Sequence, residues 1–301
     1  MRVKIECPIN FIQVQDLNVI LDSLGYTIDS DDPECVIVNP GTDVYLGEEY
    51  FSRYENLRFV GTPSTGVNHL DMNYLNNRDI SVKCLLDNRS VLEDIHASAE
   101  FTWLHIMNAF RKFIPAVNNA DNWREDENER LLRSNELAGK TIGIVGLGRI
   151  GRKIANYAKA FSMNVEYYDP YVGSYQYNRV FSLTNLQKAD ILCISCYLTD
   201  ETRGIISNGV LDDFKEGLIV VNTSRGETVD ENYIYDLITK DKIFYSCDVL
   251  CNEQSIKKLR ESKLFNLKRD NIVITPHVAG ATVESQTKAL RGILELCIKS
   301  R

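Results

Sequence analysis

Arg225, Glu253 and His277 each stand a few residues beyond an apolar run. A guanidinium holds a carboxylate in a fork and polarises an adjacent carbonyl. An imidazole gives or takes a proton near neutral pH. A carboxylate beside it stabilises its charged form and fixes its orientation. Upstream, Gly146-Leu147-Gly148-Arg149-Ile150-Gly151 follows the apolar run Thr141 to Val145 and precedes helical sequence from Arg152 to Phe161. This is G-x-G-x-x-G in its strand–turn–helix setting. The first glycine permits the tight turn, the second lets a pyrophosphate approach the backbone, and the third lets helix and strand pack closely. The helix N-terminus adds free N–H groups and partial positive charge. Asp169 lies eighteen residues past the last glycine, where a carboxylate accepts hydrogen bonds from ribose hydroxyls and repels a 2′-phosphate. No Arg or Lys follows it until Arg179, so NAD is expected over NADP. Beside a nicotinamide, the arginine, glutamate and histidine suit hydride exchange with a 2-keto acid.

Each residue of the trio also has an ordinary reading. Arg225 suits a surface charge, Glu253 a solvated acid at a helix start, and His277 a satisfied core histidine. Their joint placement favours chemistry. In an open parallel sheet, ligands bind outside the carboxyl ends of the strands, and all three residues follow strand-like runs. The other histidines, His69, His96 and His105, lack that context and read as structural.

The elements that must position these groups alternate strand and helix, the signature of βαβ units and a mostly parallel sheet. Early strand runs are Val3 to Ile5, Cys35 to Val38, Leu57 to Val60 and Ile80 to Cys84, with helical sequence at Asn18 to Leu24 and His69 to Asn77. A stronger series starts at Thr141 to Val145 and continues at Val165 to Tyr168, Ile191 to Ser195, Leu218 to Val221, Phe244 to Val249 and Ile272 to Ile274. Six strands suit a doubly wound sheet. Ala97 to Phe113 reads as one long helix with Phe101, Leu104, Ile106 and Met107 on its apolar side. The charged stretch 120–136 reads as a solvated or subunit-bridging loop.

With 301 residues, two domains are expected. Apolar residues at 44% and charged residues at 25% exclude a disordered chain. A net charge of −8 disfavours nucleic acid and anionic membranes as partners. No apolar run approaches the ~18 residues that span a bilayer. No signal peptide is expected, because Met1-Arg2-Val3-Lys4-Ile5 runs straight into strand-like sequence. The eight cysteines then read as free thiols in a reducing cytoplasm. Cys193-x-x-Cys196 lies within an apolar run and has no second ligand pair at zinc spacing, so buried thiols and no metal are expected.

The sequence resembles the D-isomer-specific 2-hydroxyacid dehydrogenases, the family of phosphoglycerate dehydrogenase, D-lactate dehydrogenase and glyoxylate/hydroxypyruvate reductase. The resemblance runs from about residue 35 to 285. Its motifs are Val60 to Asp71, Ser98 to Thr102, Val145 to Gly151, Tyr167 to Pro170, Leu198 to Arg203, Asn222 to Gly226 and Thr275-Pro276-His277. It implies an α/β architecture of two Rossmann-like domains, a flavodoxin-like substrate domain (1–94 and 282–301) and a doubly wound NAD-binding domain (95–281), with a cleft between them. It implies Arg225 as substrate-binding arginine, His277 as acid/base and Glu253 as its partner. Asp248, Thr102 and Thr223 match cofactor positions beside Gly146, Gly148, Arg149, Ile150, Gly151 and Asp169. Ser64, Thr65 and Gly66, with Arg225, match the carboxylate-binding set. A homodimer through about 97–136 is implied as well.

The sequence departs from the family where Ser195-Cys196-Tyr197 replaces a frequent His-x-Pro, and where Gln254 follows Glu253 instead of proline. Only twenty-four residues follow His277, so an appended regulatory domain is not expected. The resulting expectation is NAD(H)-dependent interconversion of a 2-keto acid and a D-2-hydroxy acid. The alternatives are a phosphite dehydrogenase-like enzyme and a catalytically inactive NAD-binding regulatory protein. Arg89 lies near the motif-bearing loops, where it suits a solvated surface charge better than a contact to a phosphate or second carboxylate.

Overall fold

A computed structural model describes residues 1–7, 12, 14–41, 43–174 and 176–300. The chain divides into two compact units, Met1–Ile95 with Gly280–Arg301, and His96–Ala279.

The first unit is built on a parallel sheet of β1 (Arg2–Ile5), β2 (Thr27–Ile28), β3 (Cys35–Ile37), β4 (Phe59–Thr62) and β5 (Ser81–Cys84), in the order β2-β1-β3-β4-β5. That is the flavodoxin-like strand order. β3 and β4 are buried along their whole length, as parallel strands covered on both faces must be. The helix Val283–Lys299 returns to this unit, started by a capping box between Thr282 and Ser285. Its Ala289, Leu290, Ile293, Leu294 and Cys297 join Val3, Cys35 and Ile37 in one core.

The second unit holds β6 (Thr141–Val145), β7 (Asn164–Tyr168), β8 (Asn178–Val180), β9 (Ile191–Ile194), β10 (Leu218–Asn222), β11 (Ile243–Cys247) and β12 (Ile272–Ile274). All pairings are parallel, in the order β12-β11-β10-β9-β6-β7-β8. The sheet has seven strands where sequence periodicity suggests six. The extra one, β8, is a three-residue edge strand with one apolar residue, too short and polar to announce itself.

The helix Ala97–Arg111 covers part of this sheet. Ala99, Thr102, Ile106 and Ala109 recur at helical spacing and are buried. Three sequence expectations change here. The helix stops at Lys112, whose left-handed φ of 53° breaks it before the separate helix Phe113–Asn118. Leu104 is 55% exposed, because it lies opposite the buried stripe. The stretch expected to be all loop contains the helix Asp126–Leu132, which opens on Asp126, Glu127 and Glu129, carboxylates that suit a helix start.

Replacing Ile293 by alanine should lower the stability of the first unit by about 2–5 kcal/mol, since its side chain is fully buried. Urea unfolding checks this; an unchanged midpoint would mean that the return helix does not hold the unit together.

Candidate active site

The order of the second sheet places β6 beside β9, with β7 and β8 running out to the other side. Connections leave this point toward opposite edges and open a crevice at the carboxyl ends. Gly146 sits there with φ +93°, and an added Cβ would lie 2.7 Å from the backbone of Cys196. A Cβ on Gly151 would lie 2.2 Å from the Gly146 carbonyl oxygen, so helix and turn are in direct contact. Gly148 is the N-cap of the helix Arg149–Ala160, and nothing lies within 4 Å of where its Cβ would project. Space is therefore left beside Gly148 at the helix start, the kind of place where backbone N–H groups and the helix dipole attract an anion.

Asp169 follows β7 directly and is buried. Its Oδ2 accepts from the Leu147 N–H at 2.8 Å, and its Oδ1 from the N–H groups of Tyr171 and Val172 at 2.9 Å each. A carboxylate offers about four acceptor sites, so one remains on Oδ2 for an incoming hydroxyl. Arg179, distant in sequence, folds back so that its Nη2 donates to the carbonyls of Asp169 and Pro170 at 2.7 and 2.9 Å. Arg179, the first basic residue after Asp169 in the sequence, is thus brought onto the backbone of that turn.

Thr102 is fully buried. Its hydroxyl donates to the Ser98 carbonyl at 2.6 Å and so accepts from Thr223, also at 2.6 Å. This pair ties the long helix to the end of β10. Asp248, buried after β11, accepts from the N–H groups of Val278 (3.0 Å) and Ala279 (2.8 Å) and from the Thr275 hydroxyl. Its own carbonyl accepts from the His277 N–H at 2.9 Å. These bonds hold His277 at φ +53°, a left-handed backbone that few non-glycine residues adopt.

Arg225 follows β10. Its carbonyl accepts from Asn222 Nδ2 (3.0 Å) and Thr228 Oγ1 (2.7 Å), which set the loop backbone. A Cβ on the next residue, Gly226, would lie 2.0 Å from the Leu250 carbonyl carbon and 2.2 Å from the Cys251 nitrogen. The arginine loop therefore lies directly against the segment that carries Glu253. Glu253 Oε1 meets His277 Nδ1 at 2.7 Å, and its Oε2 accepts from the Leu250 N–H at 3.3 Å. The hydrogen bond to Glu253 raises the His277 pKa above the ordinary imidazole value, against desolvation and against the nearby Arg225 charge. With Nδ1 taken, Nε2 is the atom able to carry a proton to a ligand.

Ser64, Thr65 and Gly66 lie in the first unit, just past the carboxyl end of β4. Ser64 Oγ donates to the Gly66 carbonyl at 2.7 Å, and the Ser64 carbonyl accepts from Leu85 at 2.9 Å. All eight cysteines are free, and burial pushes the Cys193 and Cys196 thiols up to about 12 and about 11. Among the described residues no group of His, Cys, Asp and Glu has the makings of a metal site. Arg89 is exposed at the start of the short helix Arg89–Glu93.

Residues 103–279 match the D-isomer specific 2-hydroxyacid dehydrogenase NAD binding domain. The chain belongs to this family. It is 32% identical over 260 residues to D-3-phosphoglycerate dehydrogenase of Archaeoglobus fulgidus, a match covering 84% of this chain and 46% of that protein. It is 34% identical over 174 residues to hydroxypyruvate reductase of Thermotoga maritima, covering 57% and 56% of the two chains. The chain spans about half the length of the curated relatives it matches. Among solved structures, D-lactate dehydrogenase from Aquifex aeolicus, complexed with NAD and lactic acid, superposes with a TM-score of 0.74 at 26% identity, covering 100% of this chain and 94% of that one. D-2-hydroxyisocaproate dehydrogenase superposes at 0.81 and 19% identity, covering 98% and 95%, a likeness of fold.

Several residues to which the sequence reading gives no role hold the candidate groups in place. Asn222 and Thr228 fix the Arg225 loop, and Thr275 reaches Asp248. His105, read as structural, has its ring between Ser246 and Thr275. Its signal was available: it follows Thr102 by three residues and so shares that helix face.

Replacing Glu253 by glutamine removes the negative charge from Nδ1 and should lower the His277 pKa. Histidine NMR titration checks this; an unchanged midpoint would detach Glu253 from the imidazole.

Proposed function

We propose that this protein interconverts a 2-keto acid and a D-2-hydroxy acid with NAD(H), the second unit binding the dinucleotide. The observation that carries the reading is the His277–Glu253 contact of 2.7 Å, set beside the Arg225 loop at the carboxyl edge of the sheet. A proton carrier with an ionic partner, next to a fixed cation, is what reduction of a carbonyl in an anionic substrate requires.

The chain's features fit the cofactor. The open backbone at Gly148 suits the diphosphate, the remaining Asp169 lone pair a ribose hydroxyl, and Thr223 and Asp248 the nicotinamide end. NADH bound there supplies the hydride that carbonyl reduction needs. Arg225 holds the substrate carboxylate in its fork and polarises the neighbouring keto oxygen. Ser64, Thr65 and Gly66 are kept as candidate substrate-binding residues on the family resemblance alone. Protonated His277, steadied by Glu253, gives its Nε2 proton to the keto oxygen as carbon 2 becomes tetrahedral. The product is a 2-hydroxy acid and a neutral imidazole; the reverse reaction starts from that neutral ring. Asp169 disfavours a 2′-phosphate, so NADH is preferred to NADPH, although the Arg179 guanidinium binds the backbone carbonyl of the same residue.

A homodimer built on 97–136 fits the apolar side chains left exposed there: Leu104, Phe113, Val117, Trp123 and Leu131. Light scattering should therefore give twice the chain mass. A cytoplasmic location fits the free thiols.

The decisive experiment follows NADH oxidation with glyoxylate, pyruvate, hydroxypyruvate, 3-phosphohydroxypyruvate, branched 2-keto acids and sugar-derived keto acids. Turnover of at least one is expected. Binding of NADH with no turnover would favour a regulatory protein, and NAD reduction by phosphite would favour that alternative. His277→Ala should lower kcat by roughly 10²–10⁴-fold. Reduction needs the protonated ring, so kcat/KM should fall as pH rises through the raised His277 pKa, and hydroxy-acid oxidation should rise over the same range. A flat profile in both directions would remove His277 from the proton step.

A further inference from the structure

His105 lies on the buried face of the helix Ala97–Arg111, and both of its ring nitrogens are engaged. Nδ1 is 2.7 Å from the hydroxyl of Ser246 in β11, and Nε2 is 3.1 Å from the hydroxyl of Thr275, just past β12. Thr275 in turn meets the Asp248 carboxylate. Proton counting orients the chain of bonds. An ionised carboxylate only accepts, so the single Thr275 hydroxyl hydrogen points to Asp248. The Thr275 oxygen must then accept from Nε2–H. Burial lowers the His105 pKa, opposed by the Asp248 charge, so the ring is neutral and carries one N–H. Nδ1 therefore accepts the Ser246 hydroxyl hydrogen. Every donor points the same way, from Ser246 through His105 and Thr275 to Asp248.

We propose that His105 is a positioning residue: held as its Nε2–H tautomer between Ser246 and Thr275, it fixes the Asp248 carboxylate and, through the turn 277–279, the place of His277. The far end of the relay is that turn, because Asp248 binds the N–H groups of Val278 and Ala279 and its carbonyl takes the N–H of His277. Phe101 closes the outer side of the ring edge-on, with centroids 5.0 Å apart. A residue at 105 without an Nε2 donor leaves the Thr275 oxygen with one partner fewer and frees its hydroxyl to turn toward the Cys247 carbonyl, 3.5 Å away. The catalytic consequence rests on the reading of His277 given above; the tautomer and the coupling to the turn do not.

Imidazole 15N spectra of the intact protein test the tautomer. Protonated Nε2 and unprotonated Nδ1 at His105 are expected near neutral pH; the opposite tautomer would overturn the relay. His105→Leu should shift the His277 titration midpoint, and His105→Gln, which keeps a donor for Thr275, should restore it. An unshifted midpoint in the leucine variant would overturn the coupling whether or not the protein turns over a keto acid. Where a keto acid is turned over, His105→Leu should lower kcat roughly 10- to 100-fold, the scale of a slightly misplaced catalytic group. The glutamine variant should stay within a fewfold of the parent, and His105→Leu/Thr275→Val should be no slower than Thr275→Val alone. Additive losses would place His105 outside the relay. If His105→Leu does not fold, Ser246→Ala, which strips Nδ1 of its donor, should shift the His277 midpoint in its place, and an unshifted midpoint there is equally decisive.

Discussion

The carboxylate of Asp248 is buried at the end of β11 with two backbone N–H groups and one hydroxyl pointing at it. A buried charge stripped of such donors is strongly destabilising, so the donors and the carboxylate determine one another. The donors come from the turn after β12, which makes the turn's shape a consequence of where the carboxylate sits. His277 is caught in that turn with a left-handed backbone, a conformation that persists only when the surroundings over-determine it. The direction of its imidazole toward Glu253 follows from this, and the raised pKa follows from Glu253.

The glycines act by letting backbone meet backbone. At Gly146 the turn after β6 lies against Cys196, at the end of β9. At Gly226 the Arg225 loop lies against the segment after β11. Each contact joins loops from neighbouring strands, and any side chain in the gap would push them apart. The Arg225 loop and the helix start at Gly148 are thus set by the same parallel sheet, whose strands deliver all these loops to one edge. Asp169 works in the same way: its carboxylate ties the turn after β6 to the turn after β7.

The α/β class, the parallel order and most strands were legible in the sequence. Buried parallel strands are continuous apolar runs, and Ile191–Ile194 or Leu218–Asn222 admit little else. The short strand at Asn178–Val180, the break at Lys112 and the helix Asp126–Leu132 were not legible. A three-residue edge strand has no period to detect, and a left-handed lysine carries no compositional mark. Leu104 looked like core because it is apolar, but helical phase relative to Thr102 and Ile106 turns it outward.

By itself the sequence supplied the candidate groups: a glycine turn that suits a dinucleotide, an acid eighteen residues on, and an arginine, a glutamate and a histidine after successive apolar runs. Such signals are local, because they rest on spacing along one strand and its turn. Tertiary structure alone decided which groups meet. It brought Arg179 back to Asp169, laid Gly226 on Leu250, and set His105 between Ser246 and Thr275, residues more than a hundred positions away in the chain. Hydrogen bonds act over about 3 Å, and separation along the chain says nothing about distance until the strands are paired.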